Sequence, residues 1–188
     1  MERLIVLTGY SRCGKDTTAK ALKNRYKKNG KKVDIFNFSR VLKEILSKIL
    51  DISIDKLDKL KNNRVTIETK YFSFDIRTLL KRTADVFRGL RGDDFFARQI
   101  IDSITESEAD VIIITDLRFH VEYETLKSLG KEFVTVRVIR NDPECKARKG
   151  DEEVDALTYD IRFIKEDNDK CIDKLYNQIE EKYKLMVI

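Results

Sequence analysis

The segment GYSRCGKDT (9–17) constrains this chain more than any other. Its G-x-x-x-x-G-K spacing follows the β-forming run LIVLT (4–8) and precedes a stretch with helical periodicity that stops at Asn29-Gly30. Gly9 and Gly14 permit backbone conformations that turn successive amide N–H groups into one concavity. The helix beyond adds its own free N–H groups and the positive end of its dipole, and Lys15 adds a point charge. Gly9, Ser11, Arg12, Cys13, Gly14, Lys15, Asp16 and Thr17 therefore read as a cradle for the β- and γ-phosphates of a nucleoside triphosphate, with ATP the expected ligand. Asp16 stands where Ser or Thr usually follows the lysine. It is read as a Mg²⁺ ligand, directly or through water, or as a cap for the helix.

Other runs have the same strand character: VDIFNF (33–38), VIIIT (111–115) and FVTVRVI (133–139). Helical spacing is expected over 14–29, 39–50, 75–87, from 93 or 94 onward through Ile104, 119–129 and 168–183, with Asp75 as a cap. Strands alternating with helices predict an α/β fold with a parallel sheet and crossover helices. Residues 51–74 read as an irregular excursion, and the polar stretch NDPECKARKGDEEVDA (141–156), which holds the only proline, as a mobile loop.

At 188 residues, with 41% hydrophobic and 38% charged side chains, the chain is expected to form a single domain over 1–188. No window approaches the ~20 apolar residues of a membrane span. The net charge of +5, from 38 basic against 33 acidic residues, is too evenly mixed to imply nucleic acid by itself. The three cysteines at 13, 145 and 171 form neither a disulfide framework nor a paired metal-ligand spacing. That usage fits a reducing cytoplasm, the host's in the case of a virus.

A second motif is VIIITD (111–116), which sets the Asp116 carboxylate at the end of a strand apolar almost throughout, a position suited to Mg²⁺ or its water shell. With both motifs in place, the chain resembles the deoxynucleoside monophosphate kinases of bacteriophages, a branch of the P-loop nucleoside monophosphate kinases. The resemblance runs through LTGYSRCGKDTTA (7–19), where that family also carries Gly-Lys-Asp. It continues in IRTLL (76–80) followed by Arg88 and DFF (94–96), and in DLR (116–118) with Glu122. Lys81 stands in place of the family's Gln, Ala84 where Gly is common, and 149–153 lacks the family's His. The resemblance implies a three-layer P-loop NTPase fold, with a mainly parallel five-stranded sheet and helices on both faces. It makes 51–105 the monophosphate-binding region and 141–156 a lid. The implied reaction is ATP-dependent, Mg²⁺-assisted phosphorylation of a (deoxy)nucleoside monophosphate, without a covalent intermediate.

A phosphate monoester acceptor has a second pKa of about 6, so it is already an anion at neutral pH and needs no catalytic base. Such a reaction needs cations that screen two phosphate chains from each other. Lys43, Arg77 and Arg88 are the candidates for the monophosphate. Lys15, Arg118, Arg140 and Arg148 are those for the transferring group, arginine gripping phosphate oxygens bidentately. Asp94 and Glu122 are read as contacts to substrate hydroxyl or amino groups or as residues that orient an arginine, with a helix cap the other reading of Asp94. His120 reads as a surface helix position, and Cys13 has no catalytic role. Tyr71, Phe72 and Phe74 default to packing. The basic run between Lys27 and Lys32 complements a helix end and lacks interleaved aromatics, so nucleic acid is disfavoured. A homodimer stays open. Two alternatives remain: a P-loop kinase of another phosphorylated metabolite, such as phosphomevalonate, and a non-catalytic nucleotide-binding protein or nucleic-acid-binding ATPase.

Overall fold

The chain alternates strand and helix from its start: β1 (Arg3–Thr8), α1 (Lys15–Lys28), β2 (Val33–Phe36), α2 (Arg40–Ile49) and α3 (Ile54–Asn62). There follow β3 (Thr66–Glu68), β4 (Ser73–Asp75), α4 (Ile76–Arg91), α5 (Phe95–Glu106) and β5 (Val111–Leu117). The last elements are α6 (His120–Lys127), β6 (Phe133–Ile139), α7 (Glu152–Ala156), β7 (Ile161–Ile164) and α8 (Asp169–Met186). The computed structural model describes residues 3–63, 65–68, 73–147, 151–166 and 169–186. These elements fall into two compact units, Met1–Phe38 with Ile100–Ile188, and Ser39–Gln99.

The first unit is an α/β sandwich around a five-stranded sheet of order β2-β5-β1-β6-β7, in which every neighbouring pair is parallel. Strands covered on both faces must be apolar on both, which is why Ile112, Ile113 and Ile114 can follow one another with no exposure. On one face, Ala19, Leu22 and Tyr26 of α1 and Leu175, Ile179 and Tyr183 of α8 join Ile5, Leu7, Ile113, Val136 and Val138 in one core. The alternate residues Leu4, Val6, Ile112 and Ile114 are equally buried, as are Ile104 of α5 and Leu126 of α6. Burial of each such aliphatic side chain contributes about 1.5–3 kcal/mol. The two tyrosine hydroxyls in this core are satisfied: Tyr183 donates to the Leu4 carbonyl at 2.6 Å and Tyr26 to Glu180 at 2.8 Å.

Strand order fixes where a site can form. α1 leads from β1 to β2, beyond β5, whereas α6 leads from β5 to β6 on the other side of β1. The loop after β1 therefore opens at the switch point of the sheet, where ligands of parallel α/β folds bind.

The second unit packs Leu42, Leu46, Leu57, Ile76, Leu80, Ala84 and Phe96 into its own core. The excursion expected over 51–74 is more ordered than its composition implied. It contains α3, capped by Ser53, whose hydroxyl accepts from the Lys56 N–H at 3.2 Å. It also supplies β3 of an antiparallel hairpin with β4. Asp75 caps α4 as expected, accepting from the Thr78 N–H at 3.0 Å, and α4 runs on to Arg91. The polar stretch 141–156 is likewise not loop throughout. Its end forms α7, with Val154 and Leu157 at 1% and 4% exposure, because an apolar residue spaced one turn from the next can bury even inside an acidic segment. Among the described residues no helix is long and apolar enough to cross a membrane.

Candidate phosphate-binding site

Three residues between β1 and α1 adopt the left-handed region: Gly9 (φ 136°), Arg12 (φ 67°) and Gly14 (φ 87°). Such reversals curl a short chain so that its amides face inward. At Gly9 a Cβ would strike the backbone carbonyl of Val138, and at Gly14 it would come within 2.6 Å of the Lys165 side chain. Close approach of a backbone carbonyl thus requires glycine at 9, whereas at 14 the left-handed conformation favours glycine and the flexible Lys165 side chain can give way. Gly14 is the N-cap of α1, and its carbonyl accepts the Thr18 N–H at 2.8 Å, so the helix starts directly beneath the loop.

Lys15 is only 8% exposed, and its ammonium donates to the carbonyls of Gly9 at 2.7 Å and Tyr10 at 2.6 Å. Burial, seconded by the Arg118 guanidinium, lowers its pKa to about 8, against the opposing pull of Asp116, Asp16 and Asp151. Those five charged groups therefore share one field at the carboxyl edge of the sheet. Asp116 lies near the end of β5, half-buried, where its Oδ1 accepts the Phe38 N–H at 2.8 Å. Next to it, the Thr8 hydroxyl donates to the Leu117 carbonyl at 3.0 Å and ties the ends of β1 and β5 together.

Arg118 approaches Asp151, a residue only 6% exposed, at 3.9 Å. Glu122, 4% exposed, accepts the backbone N–H groups of Arg118 at 2.9 Å and Phe119 at 3.1 Å through one oxygen. It occupies the third position of α6, from which a carboxylate can reach back over the helix start and fix the preceding turn. Arg140 is half-buried and 3.6 Å from Asp142. Arg148 lies outside the described residues, as do Tyr71 and Phe72. Asp16 and Thr17 are exposed on the first turn of α1, and Ser11 is half-buried in the loop.

Asp16 and Asp116 both favour the charged form of Lys15. Among the described residues no group of three or more His, Cys, Asp or Glu side chains is arranged to hold a metal unaided.

In the second unit, Lys43 pairs with Asp58 at 2.9 Å and the Arg77 Nε donates to the Lys61 carbonyl at 3.1 Å. Arg88 lies 3.7 Å from Asp85 and over the Phe96 ring at 5.5 Å. Asp94 pairs with Arg98 at 3.1 Å. His120 is exposed and 3.6 Å from Glu124, a surface helix position as expected.

Three features were not expected from sequence. Arg137, inside the strand run FVTVRVI, is 8% exposed; it donates to the Val154 carbonyl and to Asp155 and lies 4.8 Å from the Tyr10 ring centroid. It pins α7 and Tyr10 to the sheet, and a lone arginine in an apolar strand was the available signal. Lys165 follows β7 and lays its methylenes against Gly14. Most consequentially, Cys13 and Cys145 are joined in a disulfide, their Cα atoms 4.8 Å apart, which corrects the expectation of unpaired cysteines. The cause is topological: β1 and β6 are parallel neighbours, so the loops that follow them emerge side by side.

No protein-family model matches the chain, and no curated protein matches it. Among solved structures it is similar to an APS kinase of Mycobacterium tuberculosis, with 13% identity over 95% of this chain and 97% of that one and a TM-score of 0.48. It is also similar to a shikimate kinase of Aquifex aeolicus, with 15% identity over 96% of this chain and 98% of that one and a TM-score of 0.49. A shikimate kinase of Bacteroides thetaiotaomicron gives 14% identity over 99% of both chains and a TM-score of 0.41. Likeness of chain path at this level carries nothing about substrate.

Proposed function

We propose that the chain is a P-loop kinase that transfers the γ-phosphoryl group of ATP to a (deoxy)nucleoside monophosphate. The observation that carries this reading is the loop itself: three left-handed residues, a helix starting beneath them and a buried ammonium, all at the switch point of a parallel sheet. In this role the loop amides and Lys15 hold the β- and γ-phosphates, and Arg118 screens the charge of the group in transfer. Arg140 and Arg148 are further candidates for that screening, and Arg77, Arg88 and Lys43 of the second unit for the acceptor phosphate. Asp16 and Asp116 would hold Mg²⁺, which when bound neutralises charge on the triphosphate. The acceptor is an anion at neutral pH and needs no proton removed, so a site built of cations and amides is sufficient.

The test is a thermal-shift screen of nucleoside and deoxynucleoside monophosphates beside a non-hydrolysable ATP analogue and Mg²⁺. A substrate that binds only the folded chain stabilises it by an amount that grows with the logarithm of its concentration relative to Kd. Stabilisation by at least one monophosphate supports the reading. Stabilisation by the ATP analogue alone, with no response to any monophosphate, moves the acceptor to another class of phosphorylated metabolite.

A further inference from the structure

The disulfide joins the loop after β1 to the loop after β6 at a point critical for the site. Cys13 immediately precedes Gly14, the cap of α1, and is 1% exposed, whereas Cys145 is half-buried. Both line a cavity of about 190 Å³ together with Tyr10, Arg137, Val138 and Ile139. One residue before Cys145, the Glu144 carboxylate is ion-paired with Arg12, the guanidinium of the phosphate loop. Closing the bridge therefore does two things at once. It fixes a carboxylate against the phosphate cradle, and it engages a cation that a triphosphate would otherwise attract. Both oppose binding of a polyanion.

We propose that Cys13 and Cys145 form a redox modification site whose reactant is a low-molecular-weight disulfide or the corresponding thiol, and whose closure weakens triphosphate binding; this rests on the phosphate-loop reading. For closure, the Cys145 thiolate attacks one sulfur of the small disulfide, forming a mixed disulfide and expelling one small thiolate. The Cys13 thiolate then attacks the Cys145 sulfur and expels the second. Two electrons pass from the cysteine pair to the small disulfide, and the two cysteine protons end on the two released thiols. Opening is the reverse. A small thiolate attacks Cys145, the more accessible sulfur, and Cys13 departs as a thiolate at a position that the amino end of α1 favours. With the bridge open, the Arg12–Glu144 pair, at 36% and 56% side-chain exposure, and the Tyr10–Asp155 hydrogen bond are among the contacts that remain. An exposed pair of that kind adds little, so Glu144 is held less firmly against the loop.

The test uses the full chain equilibrated with oxidised glutathione or with dithiothreitol. The bridge is read by maleimide labelling and mass spectrometry of the denatured protein, and affinity by titration with a fluorescent ATP analogue. Oxidised protein is expected to take one label, on Cys171, which lies outside the bridge, and reduced protein three. The oxidised form is expected to bind the analogue about 5-fold or more weakly. Cys145→Ser is expected to bind like the reduced protein under both conditions. Three labels after oxidation, equal affinity of the two forms, or a Cys145→Ser variant that still responds to oxidant would overturn the proposal. Equal, measurable affinities sink the redox control alone. Absence of binding in both forms sinks the phosphate-loop reading with it.

Discussion

In the proposed site Lys15 is the residue on which phosphate binding would turn, and its environment makes that testable by pH. Burial and the neighbouring Arg118 bring its pKa from 10.5 down to about 8. The protonated form attracts phosphate, so affinity for ATP should be nearly level between about pH 7 and 7.5, where the nucleotide has already completed its own titration and Lys15 is still largely protonated. As pH rises through 8 the free protein loses that proton, and affinity should fall by up to about tenfold per unit, until the higher pKa of the phosphate-bound lysine is reached. Lys15→Arg keeps its charge and should flatten the profile. Calorimetric titration between pH 7 and 9.5 checks this, and an equal decline in the arginine variant would assign the effect elsewhere. Gly9 makes a separate prediction about stability. Its φ of 136° and the Val138 carbonyl facing it leave no room for a methyl group, so Gly9→Ala should cost about 3 kcal/mol, read as a lowered melting temperature.

At the scale of elements, the start of α6 shows how one buried carboxylate positions a cation. Glu122 holds the N–H groups of Arg118 and Phe119, and Glu122→Ala would leave both without that acceptor, at a cost of about 2–3 kcal/mol and with reduced turnover. Glu122→Gln keeps an oxygen in the same place and should retain most of the stability and rate. Loss of rate in the glutamine variant with stability intact would instead assign Glu122 a direct electrostatic contact with substrate. The elements legible in the sequence are those with long or repeated patterns: β1, β5 and β6 as apolar runs, α1 and α2 by their stripes, α4 by its cap. Those that escaped are short or sparse. In α3, Leu57 is buried between Ile54 and Leu60 in an otherwise charged sequence, which weakens the periodic signal. β7 is a four-residue edge strand in which Ile161 and Phe163 are buried and Arg162 and Ile164 exposed, too brief to distinguish from a loop. The β3–β4 hairpin pairs three residues on each side and carries no tight-turn dipeptide.

At the scale of the molecule, the turn between β1 and α1 was readable because its glycines and Lys15 are contiguous in sequence, whereas the rest of its surroundings is assembled by strand order. Nothing in residues 13 and 145 announces their pairing across 132 positions; it follows only once β6 is known to lie beside β1. Asp151 and Lys165 reach the loop's neighbourhood by the same route, one ahead of α7 and the other beyond β7. A coupled assay of ADP formation, with reduced protein, ATP, Mg²⁺ and each common nucleoside or deoxynucleoside monophosphate in turn, tests the central claim most directly. Turnover is predicted with at least one monophosphate, falling about 10²-fold or more in Lys15→Ala. No turnover with any of them, in protein that binds ATP, would contradict it.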